Sequence, residues 1–235
     1  MKKVAFITGT GKGIGKAIAE ILLDENYLVF GFSRSNMIEH QNFNFTQIDL
    51  ADLEQVQNIN FPKLKTKDLL LVNNAATIGE IAPIDLKSEV AIIEEYNLNI
   101  ITPTLLCNKF IRFYKKENKK IINISSGAAN KSIASWSTYC ATKSALDRLT
   151  GVINEENHSN LQALSISPGI VDTNMQAEIR DSDPNLFPFL GQFTSYYYNN
   201  ELENATIVAQ KFLYIIKNPT KFKQNTLSIR DVSIN

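Results

Sequence analysis

The chain has 235 residues, 44% of them apolar and 20% charged, with 24 Lys and Arg balanced by 24 Asp and Glu. That length and composition support a folded core without covalent staples and exclude a disordered chain. Zero formal net charge removes the pull toward nucleic acid or anionic membrane that a basic protein has. Cys107 and Cys140, with His40 and His158 beside them, are too few for a disulfide framework or a zinc ligand set, so no metal is expected. No apolar run approaches the ~18 residues of a membrane span. Met1-Lys2-Lys3 leads into a short apolar stretch without a signal-peptide core, so the expected location is the cytoplasm.

In chain order, short apolar runs predict strands at Val4–Thr8, Leu28–Ser33, Thr46–Asp49, Leu69–Asn73, Ile121–Ser125, Gln162–Ser167 and Thr226–Ile229. Helical spacing lies between them, near 14–24, 52–57, 88–115, 137–154 and 202–216. The alternation predicts βαβ units and a parallel sheet covered on both faces. No repeat, linker or low-complexity tract interrupts residues 1–235, which reads as one domain. Asp172 to about Asn200 fits neither period and reads as a long insertion, the kind of segment that often forms a lid.

The first strand runs into Thr8-Gly9-Thr10-Gly11-Lys12-Gly13-Ile14-Gly15 and then a helix, with four of the ten glycines inside seven residues. Glycine there lets the backbone turn tightly and approach a ligand, while the helix N-terminus faces an anion such as a pyrophosphate. The spacing is G-x-x-x-G-x-G rather than G-x-G-x-x-G, so the turn alone is suggestive only. Ser126 follows the fifth strand, and Tyr139 and Lys143 lie four apart on one helix face. An ammonium near a phenol favours the phenolate and brings an acid with a reference pKa of ~10 closer to working pH.

With these motifs in this order, the sequence resembles the short-chain dehydrogenase/reductase family. Thr8-Gly9 with Gly13 and Gly15 looks like its cofactor turn, and Asn73-Asn74-Ala75-Ala76 like its N-N-A-G motif with Ala in the last place. Ser126, Tyr139 and Lys143 match its catalytic Ser and Y-x-x-x-K. Pro168-Gly169-Ile170-Val171 with Thr173 matches the segment that contacts the nicotinamide carboxamide. The resemblance implies a doubly wound, Rossmann-type, mostly parallel seven-stranded α/β sheet. It implies a fourth catalytic residue, an Asn after the fourth strand, for which Asn97 and Asn99 compete. Spacing back from Ser126 favours Asn99, and Pro103, lacking an N–H, frees the Asn99 carbonyl for a relay water.

Cofactor choice turns on the second strand, which ends Phe32-Ser33-Arg34-Ser35 without the carboxylate that grips the ribose 2′-OH of NAD. Arg34, with Lys12 in the glycine turn, can instead bind a 2′-phosphate, as in NADP-preferring members of the family. The expected cofactor is therefore NADP(H), with Ser33 in its pocket and Asp49-Leu50 flanking the adenine. Trp136 before Tyr139, and the Met175 region after Pro168, resemble the sepiapterin reductase and bacterial benzil reductase branch. Six of the chain's 22 aromatic residues fall between Phe187 and Tyr198. They suit either a lid over a flat carbonyl substrate or a segment packing on its own domain. Ser228 aligns where sepiapterin reductases carry a pterin-gripping Asp, so an aromatic ketone or diketone is expected rather than a pterin. The reading at this point is a carbonyl reductase taking a small-molecule substrate, with a pterin reductase, a non-catalytic nucleotide-binding regulator and an S-adenosylmethionine methyltransferase as alternatives. A homo-oligomer built on the helices near 88–115 and 137–154 is expected from the resemblance.

Overall fold

The computed structural model describes residues 2–234. Strand β1 (Val4–Thr8) enters helix α1 (Gly13–Asp24), and β2 (Leu28–Ser33) and β3 (Phe43–Gln47) follow. Helix α2 (Leu53–Gln57) leads to β4 (Asp68–Asn73), then α3 (Glu89–Tyr96), a π-helical turn at Asn97–Ile101, and α4 (Thr102–Phe113). Strand β5 (Asn118–Ile124), α5 (Ser137–Glu155) and β6 (Leu161–Ser167) come next. The chain closes with α6 (Asn174–Arg180), α7 (Leu190–Tyr198), α8 (Ala205–Lys217) and β7 (Thr226–Ser228).

The seven strands form one all-parallel sheet in the order β3-β2-β1-β4-β5-β6-β7. Its central strands carry apolar residues on both faces because both faces are covered. Ala5, Ile7, Leu70, Val72, Ile122 and Ile124 face α1 and α8. Phe6, Leu69, Leu71 and Ile121 turn the other way, toward α4 and α5. There Phe110 meets Phe6, Phe61 and Tyr114 at ring separations of 6.1, 5.5 and 5.4 Å. Strand order reverses between β1 and β4, so the chains leaving their C-terminal ends diverge and open a crevice. A third apolar cluster, including Ile78, Trp136, Tyr139 and Phe187, closes over that end of the sheet.

The structure departs from the expected elements in three places. The third strand begins at Phe43, not Thr46, because it pairs with β2 from Val29 onward. It ends before Asp49, whose carboxylate accepts from the Ala51 N–H at 2.9 Å and turns the chain. The single helix expected over 88–115 is broken by the π turn, in which the Thr102 N–H reaches back to the Asn97 carbonyl. Pro103 is the cause: it offers the preceding turn no N–H. The segment 172–200, read as irregular, carries α6 and α7, of seven and nine residues. Helices that short give too few repeats for a period to be read. Among the described residues no helix is long and apolar enough to cross a membrane.

Phe110 is fully buried at the centre of the aromatic cluster, whereas Phe113, one turn along α4, is 43% exposed. Phe110→Ala is expected to destabilise the fold by about 3–5 kcal/mol, and Phe113→Ala by far less. Urea midpoints check this; equal midpoints for the two variants would contradict the packing described.

Candidate active site

The crevice is built from two turns tied together. The Thr8 hydroxyl, at the end of β1, accepts from the backbone N–H groups of Asn74 and Ala75 at 2.9 and 3.0 Å. The Asn74 side-chain amide donates back to the Thr8 carbonyl at 2.9 Å. A Cβ on Gly15 would collide with that amide and with the Gly9 carbonyl, so only glycine lets α1 start this close to β4. Gly13 sits at φ +58°, facing the Thr173 side chain. At the first turn of α1, Lys12 supplies no side-chain cap and the turn itself carries no acidic residue. The helix N–H groups therefore point into the crevice without a partner from a capping side chain, a cradle whose chemistry fits a pyrophosphate.

At the crevice's β2 side, Ser33 is buried and its hydroxyl donates to the Ser35 carbonyl at 2.6 Å. Thr10 lies within 3.3 Å of the same hydroxyl. Arg34 and Lys12 both project to solvent, and the Lys12 ammonium lies 3.9 Å from the Glu178 carboxylate on α6. Leu50 is buried, its carbonyl held by the Thr102 hydroxyl at 2.7 Å. Pro168, Gly169, Ile170 and Thr173 join Ile14 along a cavity of about 800 Å³ that extends this crevice toward α6 and α7.

Ser126 and Tyr139 share the wall of that cavity. Ser126 leaves β5 extended and caps a short 3₁₀ turn, its hydroxyl accepting from the Ala128 N–H at 3.1 Å. Tyr139 lies in the first turn of α5 with its phenol oxygen 3.9 Å from the Met175 sulfur. Lys143, one turn further on, is buried and donates to the Ile124 carbonyl at 2.7 Å. Its ammonium is 5.7 Å from the Tyr139 ring centre. Of the two candidate asparagines, Asn97 turns away to the Ala51 carbonyl at 3.2 Å. Asn99 is buried against α5, its amide within 3.3 Å of the Thr142 hydroxyl. Both ends of that amide grip the Thr77 backbone at 2.9 Å. Thr77 acts through its backbone, which leaves no mark in a side-chain pattern, so sequence reasoning had no signal for it.

Burial sets the electrostatics. It pushes the Tyr139 phenol up to about 12, with the Ser126 hydroxyl pulling the other way and Cys140 and Glu95 adding to the rise. Burial likewise brings Lys143 down to about 8, against the Asp147 carboxylate, which opposes the fall. In the protein alone desolvation thus dominates at both groups, disfavouring the phenolate and the ammonium alike.

The aromatic segment divides between its two readings. Phe187 is buried and stacks on Trp136 at 5.4 Å, as part of the domain's own packing. Phe189, Phe193 and Tyr196 line the cavity. Tyr198 is 75% exposed, and Tyr197 lies 4.2 Å beneath the Arg180 guanidinium. Trp136 stands edge-on to Tyr139 at 5.6 Å and lines the cavity with Met175.

A short chain dehydrogenase family model matches residues 3–184. The chain belongs to that family, and the protein is an oxidoreductase of the kind acting on CH–OH and C=O groups. It is 33% identical over 230 residues to a benzil reductase ((S)-benzoin forming) of Bacillus subtilis, covering 92% of this chain and 93% of that one. A sepiapterin reductase of Rattus norvegicus is 28% identical, with 92% of each chain covered. Among solved structures, a short chain dehydrogenase/reductase from Saccharomyces cerevisiae superposes with a TM-score of 0.86 at 28% identity, covering 97% of this chain and 96% of that one.

Proposed function

We propose that the protein is an NADPH-dependent carbonyl reductase whose substrate is an aromatic ketone or diketone. The observation that carries the reading is the placement of the Ser126 and Tyr139 hydroxyls in one cavity with an aromatic side, continuous with a glycine turn and an open helix N-terminus. The residues fit a nicotinamide dinucleotide: Thr8 to Gly15 and Asn74-Ala75 around the pyrophosphate, Asp49-Leu50 toward the adenine, Pro168 to Thr173 toward the nicotinamide. When bound in reduced form, that cofactor supplies hydride to the substrate carbonyl carbon. Ser126 donates a hydrogen bond to the carbonyl oxygen, and Tyr139 donates the proton that oxygen needs. Lys143 holds the nicotinamide ribose and restores the Tyr139 proton through water positioned at Asn99. Donors fixed in advance around developing negative charge stabilise the transition state without reorganising. The benzil reductase relative supports a diketone. A pterin is disfavoured because Ser228 stands at the cavity position where a pterin-gripping Asp would align, and Asp231 does not line the cavity. Residues 172–200, with their cavity-facing aromatics, act as the substrate lid of a single domain in the cytoplasm.

Tyr139→Phe is expected to abolish benzil reduction while leaving NADPH affinity within about twofold, since it removes a proton donor but no phosphate contact, although Tyr139 also borders the cofactor. Lys143→Ala lowers both. The pH dependence follows from the raised phenol: the acid form is loaded throughout the neutral range, so reduction is flat there and falls only on the alkaline side. Alcohol oxidation, which needs the phenolate, rises with pH instead. Near-parental kcat in Tyr139→Phe would exclude Tyr139 as the acid.

For cofactor choice, Arg34 is the cation facing the 2′-phosphate, a charged hydrogen bond worth ~1.5–3 kcal/mol. Arg34→Ala should therefore lower the NADPH-over-NADH ratio of kcat/KM by roughly 10- to 100-fold at low salt. A parent enzyme preferring NADH, or an unchanged ratio in the variant, contradicts the NADP assignment and leaves the Tyr–Lys chemistry standing.

Val90 and Ile93 on α3, Ile101 in the π turn and Val152 on α5 are exposed apolar side chains on the helices expected to assemble. We propose a homo-oligomer through that face. Light scattering at micromolar concentration is expected to give at least a dimer; a monomer counts against it.

A further inference from the structure

A buried charged set outside the cavity joins the three segments that present the reacting groups. The Lys87 and Glu95 side chains are fully closed to solvent, and Thr138 is buried with them. The Lys87 ammonium donates to the Glu95 carboxylate at 3.1 Å and to the Thr138 hydroxyl at 2.6 Å. That hydroxyl in turn donates to the same carboxylate oxygen. Lys87 lies in the connection from β4 to α3, Glu95 is on α3 one turn before Asn99, and Thr138 immediately precedes Tyr139. The connection's backbone lies on the carboxylate: Gly79 sits at φ +67°, and a Cβ there would collide with Glu95. Two residues earlier, Thr77 holds Asn99. The first turn of α5 has no side-chain N-cap, so Thr138 is its side-chain tie to the rest of this set.

An ion pair removed from water this completely is a poor source of stability, because desolvation offsets most of the attraction and an apolar pair of similar volume would hold the elements as well. A specific role accounts for its chemistry better. We propose that Glu95, Lys87 and Thr138 are positioning residues that fix Tyr139 relative to Asn99 and hold the Glu95 carboxylate on the residue next to Tyr139, where its charge acts on the phenol. The proposal rests on the reading of Tyr139 as the proton donor. The groups around the phenol are few. Lys143 and Cys140 belong to its own helix, Ser126 follows β5, Met175 comes from α6, and Glu95 comes from α3. Glu95 and Cys140 disfavour the phenolate and Ser126 favours it. Lys87 and Thr138 work on Glu95 itself, favouring its ionised form against the desolvation that raises it.

Glu95→Gln keeps the side chain's shape and removes the charge. Tyrosinate absorbance of the protein alone, read against Tyr139→Phe as blank, should then show the phenol ionising at lower pH by roughly half a unit or more. The alkaline limb of benzil reduction should move the same way, with NADPH affinity unchanged. Thr138→Val cuts the tie to α5 and should lower kcat about tenfold at constant KM, and Thr138→Ser should restore it. A purely structural role would lower Tm and leave the titration, the pH limb and kcat at parental values; that outcome overturns the proposal. The absorbance titration needs no substrate, so it decides the placement of charge even if the parent reduces no ketone, a result that sinks only the carbonyl-reductase reading. Should Glu95→Gln fail to fold, the Val and Ser variants at Thr138 still test the positioning.

Discussion

The site depends on the bond between two turns that the sheet's topology alone would leave apart. Beyond β1 and β4 the strand order reverses, and the chains diverge toward opposite faces. A crevice opened this way exposes backbone N–H and C=O groups that no ladder satisfies. The Thr8 hydroxyl and the Asn74 amide meet that need directly, accepting and donating across the gap. Once they do, the glycines between them have no room for side chains, and the start of α1 is set against β4 with its N–H groups facing the opening. The cradle for an anion follows from how the crevice is closed.

The same economy of space governs the reacting groups. Tyr139 and Lys143 are buried on a helix packed against β6, which raises the phenol and lowers the ammonium. In that setting a neutral phenol is the resting form, the form that the proposed proton donor needs. Asp147, one turn beyond Lys143 and bonded to the Ser165 hydroxyl at 2.5 Å, keeps the ammonium from falling further. Burial thus shifts both groups, each offset in part by a placed partner, Ser126 for the phenol and Asp147 for the ammonium.

How much of this was legible depended on which part of a residue acts. Ser126, Tyr139 and Lys143 act through side chains whose types and spacing carry the chemistry, and the glycine turn marks itself by what it lacks. The central strands were legible because burial on both faces makes them continuous apolar runs, as in Val4–Ile7 and Leu69–Val72. Edge strand β3 was placed three residues late: it pairs on one side only and alternates between half-buried and exposed positions. Pro103 announced a break in its helix, yet the π turn that resolves the break depends on the Thr102 N–H finding Asn97, a tertiary choice. Thr77 stayed invisible because it serves through its backbone. Lys87 and Glu95 stayed invisible because a lysine and a glutamate eight apart look like a solvated surface until α3 and α5 are packed together.

The division of the aromatic segment shows how the fold limits substrate. Phe187 stacks nearly parallel to Trp136, with rings 11° apart, and Phe193 tilts against both. Trp136 is therefore fixed from behind by residues of the same segment that closes the cavity, and its edge-on contact fixes Tyr139 in turn. Rings held on several sides cannot swing aside for a bulky saturated ligand. They offer a rigid apolar wall at little further cost in side-chain entropy. Such a wall suits the flat, apolar carbonyl substrate proposed above. The charged side chains along the cavity are Lys131, Asp147 and Arg230. For the proposed carbonyl substrate, reach from Tyr139 to those charges, more than the identity of the donor, would then decide which compounds the cavity accepts.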